Sequence, residues 1–315
     1  MDVSASKNAL IIINPNKKNS FSASEEITFE LQKRNYDVTI YTIDSKPEKL
    51  PANPVDFGSF PGEKRWDIAF SLGGDGTVLF SARSLASGLT PILPVNLGTL
   101  GFIAGVNRKE WLSVFDRWEK NEINYSRRCM LLVSVERGSK KVMENTCLND
   151  VVVSSTGIHK LIKLDVKTGI ISKEQTELGF YHCDGLIAAT PTGSTAYSMS
   201  AGGPILDPEM NALILNPICP FALSNRPLVL DFRQDLEITV ANDQRCGVLL
   251  TADGQDTFNL ESMDKIIIKK APWQALLILA DRLSYYSALR AKLSWSGETV
   301  LPADAENSSS GVNNA

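Results

Sequence analysis

The chain has 315 residues, 43% of them hydrophobic and 22% charged, with a formal net charge of −4. Such a chain can bury a large core and divides into about two domains. The acidic balance speaks against nucleic-acid binding, and no run approaches the roughly 18 apolar residues that span a bilayer. The N-terminal Met1-Asp-Val-Ser carries an acid before its apolar run, unlike a signal peptide. Cys129, Cys147, Cys183, Cys219 and Cys246 are scattered without a C-x-x-C pair, which fits free thiols in a reducing cytoplasm. With His159 and His182 the only histidines, no structural zinc site is expected.

Ala9–Ile13 reads as a strand ending at Asn14-Pro15, and Ser24–Arg34 as a helix capped by Ser24. Strands follow at Val38–Tyr41, Ile68–Leu72 and Ile92–Val95, with helices at Val78–Ala86 and Lys109–Lys120. Strand–helix alternation with continuous apolar strands predicts a Rossmann-like parallel sheet covered on both faces, over residues 1–125. Ligands of such sheets bind beyond the carboxyl ends of the strands.

From about residue 126 to 270 the texture is mainly β. Ile162–Val166 and Leu236–Val240 alternate apolar and polar residues; Leu131–Val135, Asp150–Ser154, Leu186–Ala189, Gly247–Leu250 and Lys265–Lys269 add short strands. This predicts a layered β-sandwich type of domain. The segment 271–315 is expected to return to the first domain through a helix at Ser284–Leu293, with a disordered tail over Ala305–Ala315. Lys17-Lys18 and Lys269-Lys270 are too short for a basic patch and read as solvated charge.

Between one strand and helix lies Ser71-Leu-Gly-Gly-Asp-Gly-Thr77. A glycine turn there exposes backbone N–H groups at the positive end of a helix, a site for phosphate. Asp75 would repel a phosphate, so it fits a carboxylate that handles a hydroxyl about to receive one. A tight turn with an N-capping Asp explains the same residues, and these residues alone leave both readings open. No G-x-x-x-x-G-K-[ST] occurs, and Leu79 stands where G-x-G-x-x-G needs its third glycine. A second dense segment, Asp184–Pro204, crowds glycines and hydroxyls after a strand, with Tyr197 as an aromatic platform.

On these residues the chain resembles the NAD kinases, which phosphorylate the adenosine-ribose 2′-hydroxyl of NAD to make NADP. The resemblance covers Gly73–Thr77, Asn96-Leu-Gly-Thr-Leu-Gly-Phe102, Asn149-Asp150, Asp184–Pro204, Asn216-Pro-Ile-Cys-Pro220 with Asn225-Arg-Pro-Leu228, and Asp253-Gly-Gln255. It implies that Asp75 is the general base and that Gly74 and Gly76 admit the phosphates. Asn149 would read adenine and Asp150 the ribose hydroxyls. Asp184 matches a further ribose or nicotinamide contact. Thr195, Ala196, Tyr197, Ser198, Met199 and Ser200 would line the NAD pocket, with Lys160, His182 and Gln255 as further contacts, some across a subunit boundary.

Three positions depart from the family pattern: Asp150 is usually Glu, His182 is often Arg, and Phe221 replaces a common His. Phosphoryl transfer from ATP or another donor is expected, with Mg²⁺ or another divalent ion carried mainly on the donor's phosphates. The glycine turn is shared with diacylglycerol kinases, so a lipid kinase is the rival enzyme. A non-catalytic NAD(P)-binding regulator is the rival of another class. The resemblance further implies a homodimer or homotetramer through the second domain.

Overall fold

The computed structural model describes residues 6–43, 65–98, 101–157, 160–169, 176–280 and 283–293. The tail expected to be disordered and His159 lie outside them.

The first half is the predicted alternation: β1 (Lys7–Ile13), α1 (Ser20–Gln32), β2 (Tyr36–Thr42), β3 (Ile68–Gly73), α2 (Asp75–Leu85), β4 (Pro91–Asn96), β5 (Val106–Asn107) and α3 (Trp111–Glu119). Strands β4, β3, β1 and β2 lie side by side and parallel. The unbroken apolar run of β1 follows from this burial. Ala9, Ile11 and Ile13 pack with Ala23 and Ile27 of α1 and with Trp111 and Phe115 of α3. Leu10 and Ile12 point the other way, against Val78, Ala82 and Leu85 of α2. Alternate residues of a strand face opposite sides, so helices on both sides demand apolar residues throughout.

Helix α1 begins a turn earlier than its sequence suggests. Asn19 adopts the left-handed conformation (φ 66°) just before it, and Ser24 sits inside the helix with its hydroxyl donating to the Phe21 carbonyl at 2.7 Å. The expected cap is therefore a buried interior serine, because Asn tolerates the left-handed region and starts the turn first.

The second half contributes β6 (Tyr125–Arg137), β7 (Lys140–Cys147), β8 (Asp150–Ser155), β9 (Ile162–Thr168), β10 (Thr176–Cys183), β11 (Gly185–Ala189), the short α4 (Tyr197–Ser200), β12 (Ala212–Ile218), β13 (Leu228–Asp231), β14 (Leu236–Val240), β15 (Val248–Ala252), β16 (Asp256–Leu260), β17 (Lys265–Ile278) and α5 (Leu283–Leu293). One antiparallel sheet runs β13-β12-β11-β8-β15-β16. It packs on the antiparallel end of the larger sheet, where Ile162, Leu164 and Val166 of β9 meet Val151, Val153, Leu186 and Leu250 in one core. The period-two pattern of β9 is the signature of that layer.

Strand β17 joins the two halves. Its first residues pair antiparallel with β14, while Leu276 and Leu277 pair parallel with Pro91 and Ile92 of β4. Between them the register against β6 shifts from Lys270 to Gln274, around Pro272, which has no N–H to give the ladder. The strand thus runs on past Lys269, where its sequence pattern breaks. Helix α5 then touches both halves: Tyr285 donates to the Leu206 carbonyl at 2.9 Å, and Lys292 Nζ stands 4.6 Å from the Phe102 ring centre.

Candidate active site

The glycine turn lies between β3 and α2, at the carboxyl edge of the parallel strands. Gly74 is the N-cap of α2 in an extended conformation (φ −125°, ψ −166°), and Asp75 is the first helical residue. Asp75 does not cap the helix. Its carboxylate turns to the following loop, where Oδ2 accepts from Phe102 N at 2.9 Å and Oδ1 from Ile103 N at 3.2 Å and Ala104 N at 2.9 Å. A carboxylate offers about four lone-pair sites. Three are used, and an acceptor position remains on Oδ2. A β-carbon at Gly101 would collide with Asp75 Oδ1, so the last glycine of the Asn96–Phe102 segment makes room for this carboxylate.

The glycines of the turn serve different ends. A β-carbon on Gly73 would strike the Thr77 side chain, so that glycine is required by packing. Gly74 and Gly76 have no such constraint: the nearest heavy atoms to a β-carbon there are Lys17 Cε and Nζ at 4.0 Å and Gln255 Nε2 at 3.8 Å. Neither adopts a left-handed φ. What they leave is open space beside the backbone at the positive end of a helix, the setting in which anions bind.

Across the turn lies a cleft of about 410 Å³ whose lining includes Asn149, Asp150, Ala196, Tyr197, Asp253 and Gly254. The hairpin between β15 and β16 builds one wall. Asp253 (φ 50°) and Gly254 (φ 66°) are both left-handed there, as a tight hairpin needs. The Asp253 carboxylate is buried and accepts from Leu148 N at 2.9 Å, Asn149 N at 2.7 Å and Asp150 N at 3.1 Å. It thereby fixes the start of β8 and aims the next two side chains. Gly193 packs so closely on the Asn149 carbonyl that no β-carbon fits.

Among the described residues, two groups in this cleft stand out. Asn149 Oδ1 is buried with no hydrogen bond. The Asp150 carboxyl is buried, and burial first, then the charge of Asp253, pushes its pKa up to about 7. Such groups are costly unless a ligand supplies the missing donors.

Gln255 ties turn and cleft together. Its Nε2 donates to the Gly76 carbonyl at 2.9 Å, and its Oε1 accepts from Arg83 Nη1 at 3.1 Å. Arg83, on α2, is ion-paired with Asp256 of the same hairpin. The two halves of the chain therefore share one site. Asp253, Gly101 and Arg83 were not among the expected site residues. A signal existed for the first two, which lie in the Asp253–Gln255 and Asn96–Phe102 segments that carry the family resemblance, while Arg83 looks in sequence like any exposed helical cation.

The other expected residues are placed as follows. Thr195 is buried and donates to the Thr192 carbonyl at 3.3 Å. Ser198 is buried, its carbonyl accepting from Asn216 Nδ2 at 2.9 Å, whereas Met199 is half-buried and Ser200 exposed. Tyr197 is 49% exposed at the cleft, available for stacking. Asp184 follows β10, its carbonyl accepting from Ser155 N at 3.0 Å. His182 has a buried Nε2 without a partner and meets Phe180 edge-on at 5.2 Å. Its carbonyl accepts from Phe221 N at 2.8 Å, so two departures from the family pattern touch. Lys160 is exposed beside Gly157. Of the segment expected to line the pocket only Ala196 and Tyr197 do so; Thr195, Ser198, Met199 and Ser200 lie behind or beside it in the same turn, and Lys160, His182 and Asp184 do not line the cleft either.

A helix start left open by its glycines, a fixed carboxylate and a cleft of about 410 Å³ are the parts that a phosphotransferase acting on a nucleotide needs. Residues 9–123 match the ATP-NAD kinase N-terminal domain and residues 148–280 the ATP-NAD kinase C-terminal domain. The NAD kinase of Treponema denticola is 38% identical over 293 residues, covering 93% of this chain and 98% of its own. That of Syntrophotalea carbinolica is 41% identical over 241 residues, covering 76% and 81%. The chain belongs to the NAD kinase family.

Two solved structures share the fold. Yeast NADH kinase complexed with NADH has a TM-score of 0.80 at 24% identity, covering 95% of this chain and 91% of its own. An NAD kinase from Archaeoglobus fulgidus in complex with ATP has a TM-score of 0.66 at 23% identity, covering 91% and 98%. Family matches to both halves set aside the lipid-kinase reading.

Proposed function

We propose that this chain carries out NAD kinase chemistry by direct in-line transfer of the γ-phosphoryl of ATP to the adenosine-ribose 2′-hydroxyl of NAD. The 2′-oxygen forms a bond to the γ-phosphorus as the bond to the β–γ bridging oxygen breaks. NADP and ADP result, and the hydroxyl proton passes to Asp75. The observation that carries this is the free acceptor position on Asp75 Oδ2, fixed by amides from 102–104 beside the gap left by Gly74 and Gly76. Because the transition state is loose, the residues' work is positioning and charge neutralisation.

On the acceptor side, Asn149 Oδ1 suits the exocyclic amine of adenine, and Asp150 in its ionised form would accept from ribose hydroxyls. Tyr197 gives a face for a ring to stack on. Thr195, Ala196, Ser198, Met199 and Ser200 support that wall, and Asp184, His182 and Lys160 are kept as outer contacts.

Among the described residues no three His, Cys, Asp or Glu side chains converge as metal ligands. The acid nearest the turn, Asp75, is already held by amides. Mg²⁺ or another divalent cation is proposed to ride mainly on the donor's phosphates, where it would neutralise charge.

A homodimer or homotetramer is supported by Phe180, Phe221 and Leu223, exposed by 54%, 75% and 86% on or beside the edge strand β10. No helix among the described residues is long and apolar enough to cross a membrane. A cytoplasmic location remains part of the proposal. Assay of purified protein for NADP, with ATP and NAD supplied, tests the activity; Asp75→Asn tests the base.

A further inference from the structure

We infer that Lys17 binds the terminal phosphates of the donor nucleotide, from the side of the glycine turn opposite the NAD cleft. Its sequence context, Asn14-Pro-Asn-Lys-Lys18, reads only as solvated charge. The fold changes that reading. Strand β1 lies next to β3, so the loop after β1 runs beside the loop after β3, and Asn14 N donates to the Leu72 carbonyl at 3.2 Å. The loop is fixed by its own bonds: Asn16 N to Asn14 Oδ1 at 3.0 Å, Lys17 N to the Asn14 carbonyl at 3.1 Å and Ser20 N to the Lys17 carbonyl at 3.2 Å. From it the Lys17 side chain reaches over the turn, with Cε and Nζ each 4.0 Å from the place a β-carbon would take at Gly74. Lys17 is exposed and has no carboxylate partner among the described residues.

The two unconstrained glycines face different neighbours. Gly76 faces Gln255 of the β15–β16 hairpin, the wall of the NAD cleft, and Gly74 faces Lys17. Asp75 stands between them in the chain. In-line displacement needs the attacking oxygen and the leaving oxygen on opposite sides of the transferred phosphorus. With the acceptor on the Gly76 side, the leaving β-phosphate falls on the Gly74 side, under the Lys17 ammonium. A flexible stem ending in a compact charge with three donors is the usual means of holding a chain of phosphates. Among the described residues no ion pair joins Lys17 to Asp75, whose carboxylate is held by the amides of 102–104.

This inference rests on the proposed kinase reaction, and one experiment separates the two. Full-length wild type, Lys17→Ala, Lys17→Arg and Lys18→Ala are compared by calorimetric titration with Mg-ATP and by NADP formation with ATP and NAD varied in turn. Loss of a charge-assisted contact should weaken Mg-ATP binding and raise the KM for ATP in Lys17→Ala by about 10- to 100-fold. The KM for NAD and the melting temperature should stay at wild-type values, Lys17→Arg should recover part of the loss, and Lys18→Ala should behave as wild type. An ATP dissociation constant for Lys17→Ala within twofold of wild type overturns the inference. So does an equal loss of affinity for NAD. Wild type that makes no NADP overturns the kinase reading instead.

Discussion

Asp75 and Asp150 are the same residue type, each the first residue of its element, and the fold treats them in opposite ways. Asp75 opens α2 at its positive end and receives three backbone N–H groups from one short loop. Asp150 opens β8, is buried, and lies beside the second carboxyl of Asp253, so its pKa rises to about 7. The α/β half has completed its charged group before any substrate arrives. The β half has left its polar groups, Asn149 Oδ1 and Asp150, waiting for one. Chemistry needs a group already in position, whereas recognition gains from groups that only the right ligand satisfies.

The largest test of that contrast is removal of the prepared group. Asp75→Asn should lower kcat by about 10²- to 10⁴-fold while calorimetric NAD binding persists. Gly101→Ala should approach the same loss, because its methyl would occupy the place of the Asp75 oxygen. If Gly101→Ala keeps wild-type kcat, the amide loop does not position the base.

The second test concerns the waiting group. If ribose hydroxyls require ionised Asp150, kcat/KM for NAD should fall about tenfold per pH unit below about pH 7, and Asp150→Asn should flatten that limb. Stability should move the other way. A carboxyl whose folded pKa is raised from 3.8 to about 7 binds more protons folded than unfolded between those values. Its cost is absent below about pH 4, grows by about 1.4 kcal/mol per pH unit and is complete above about pH 7. Asp150→Asn should therefore be stabilised relative to wild type at pH 8 and little changed at pH 4, as read by urea unfolding.

Smaller effects sharpen the picture. Asp253→Asn keeps one acceptor but turns an amide toward backbone N–H groups, leaving at least one buried donor unpaired. A stability loss of about 1–3 kcal/mol in urea unfolding should follow, with weaker NAD binding. Gly76→Ala should leave the fold as stable or up to about 1 kcal/mol more so, because alanine favours a helix start. Its activity should nevertheless fall, since the methyl enters the space assigned to phosphate. A variant both stable and fully active would show that this space is idle.

Much of the architecture was legible in the chain. Continuous apolar strands with helical segments between them announced the doubly covered sheet, and the alternation in β9 and β14 announced a layered β half. Strands β5, β7, β10, β12, β13 and β16 escaped notice, and two of them have broken patterns: β12 carries Asn216-Pro217 in its ladder and β10 has a register shift near Gly179, while β17 was legible only as far as Lys269, short of its bulge around Pro272. A strand with a proline or a bulge loses the regular period by which it would be recognised. Ser24 misled because capping chemistry is local while the choice of cap was settled by Asn19.

For the site, the chain by itself specified the parts made from adjacent residues: a strand that ends in Gly73-Gly-Asp-Gly, a helix that follows, and the side chains of Asn149-Asp150. Turn conformation and helix polarity act over a few residues, so they are written locally. Sheet order alone brought Phe102–Ala104 to Asp75, the 253–255 hairpin to Gly76, and Lys17 to Gly74. Those contacts join residues 29, 179 and 57 positions apart in the chain (104 − 75, 255 − 76 and 74 − 17). No local period encodes them, because they exist only once parallel strands have placed separate loops along one edge.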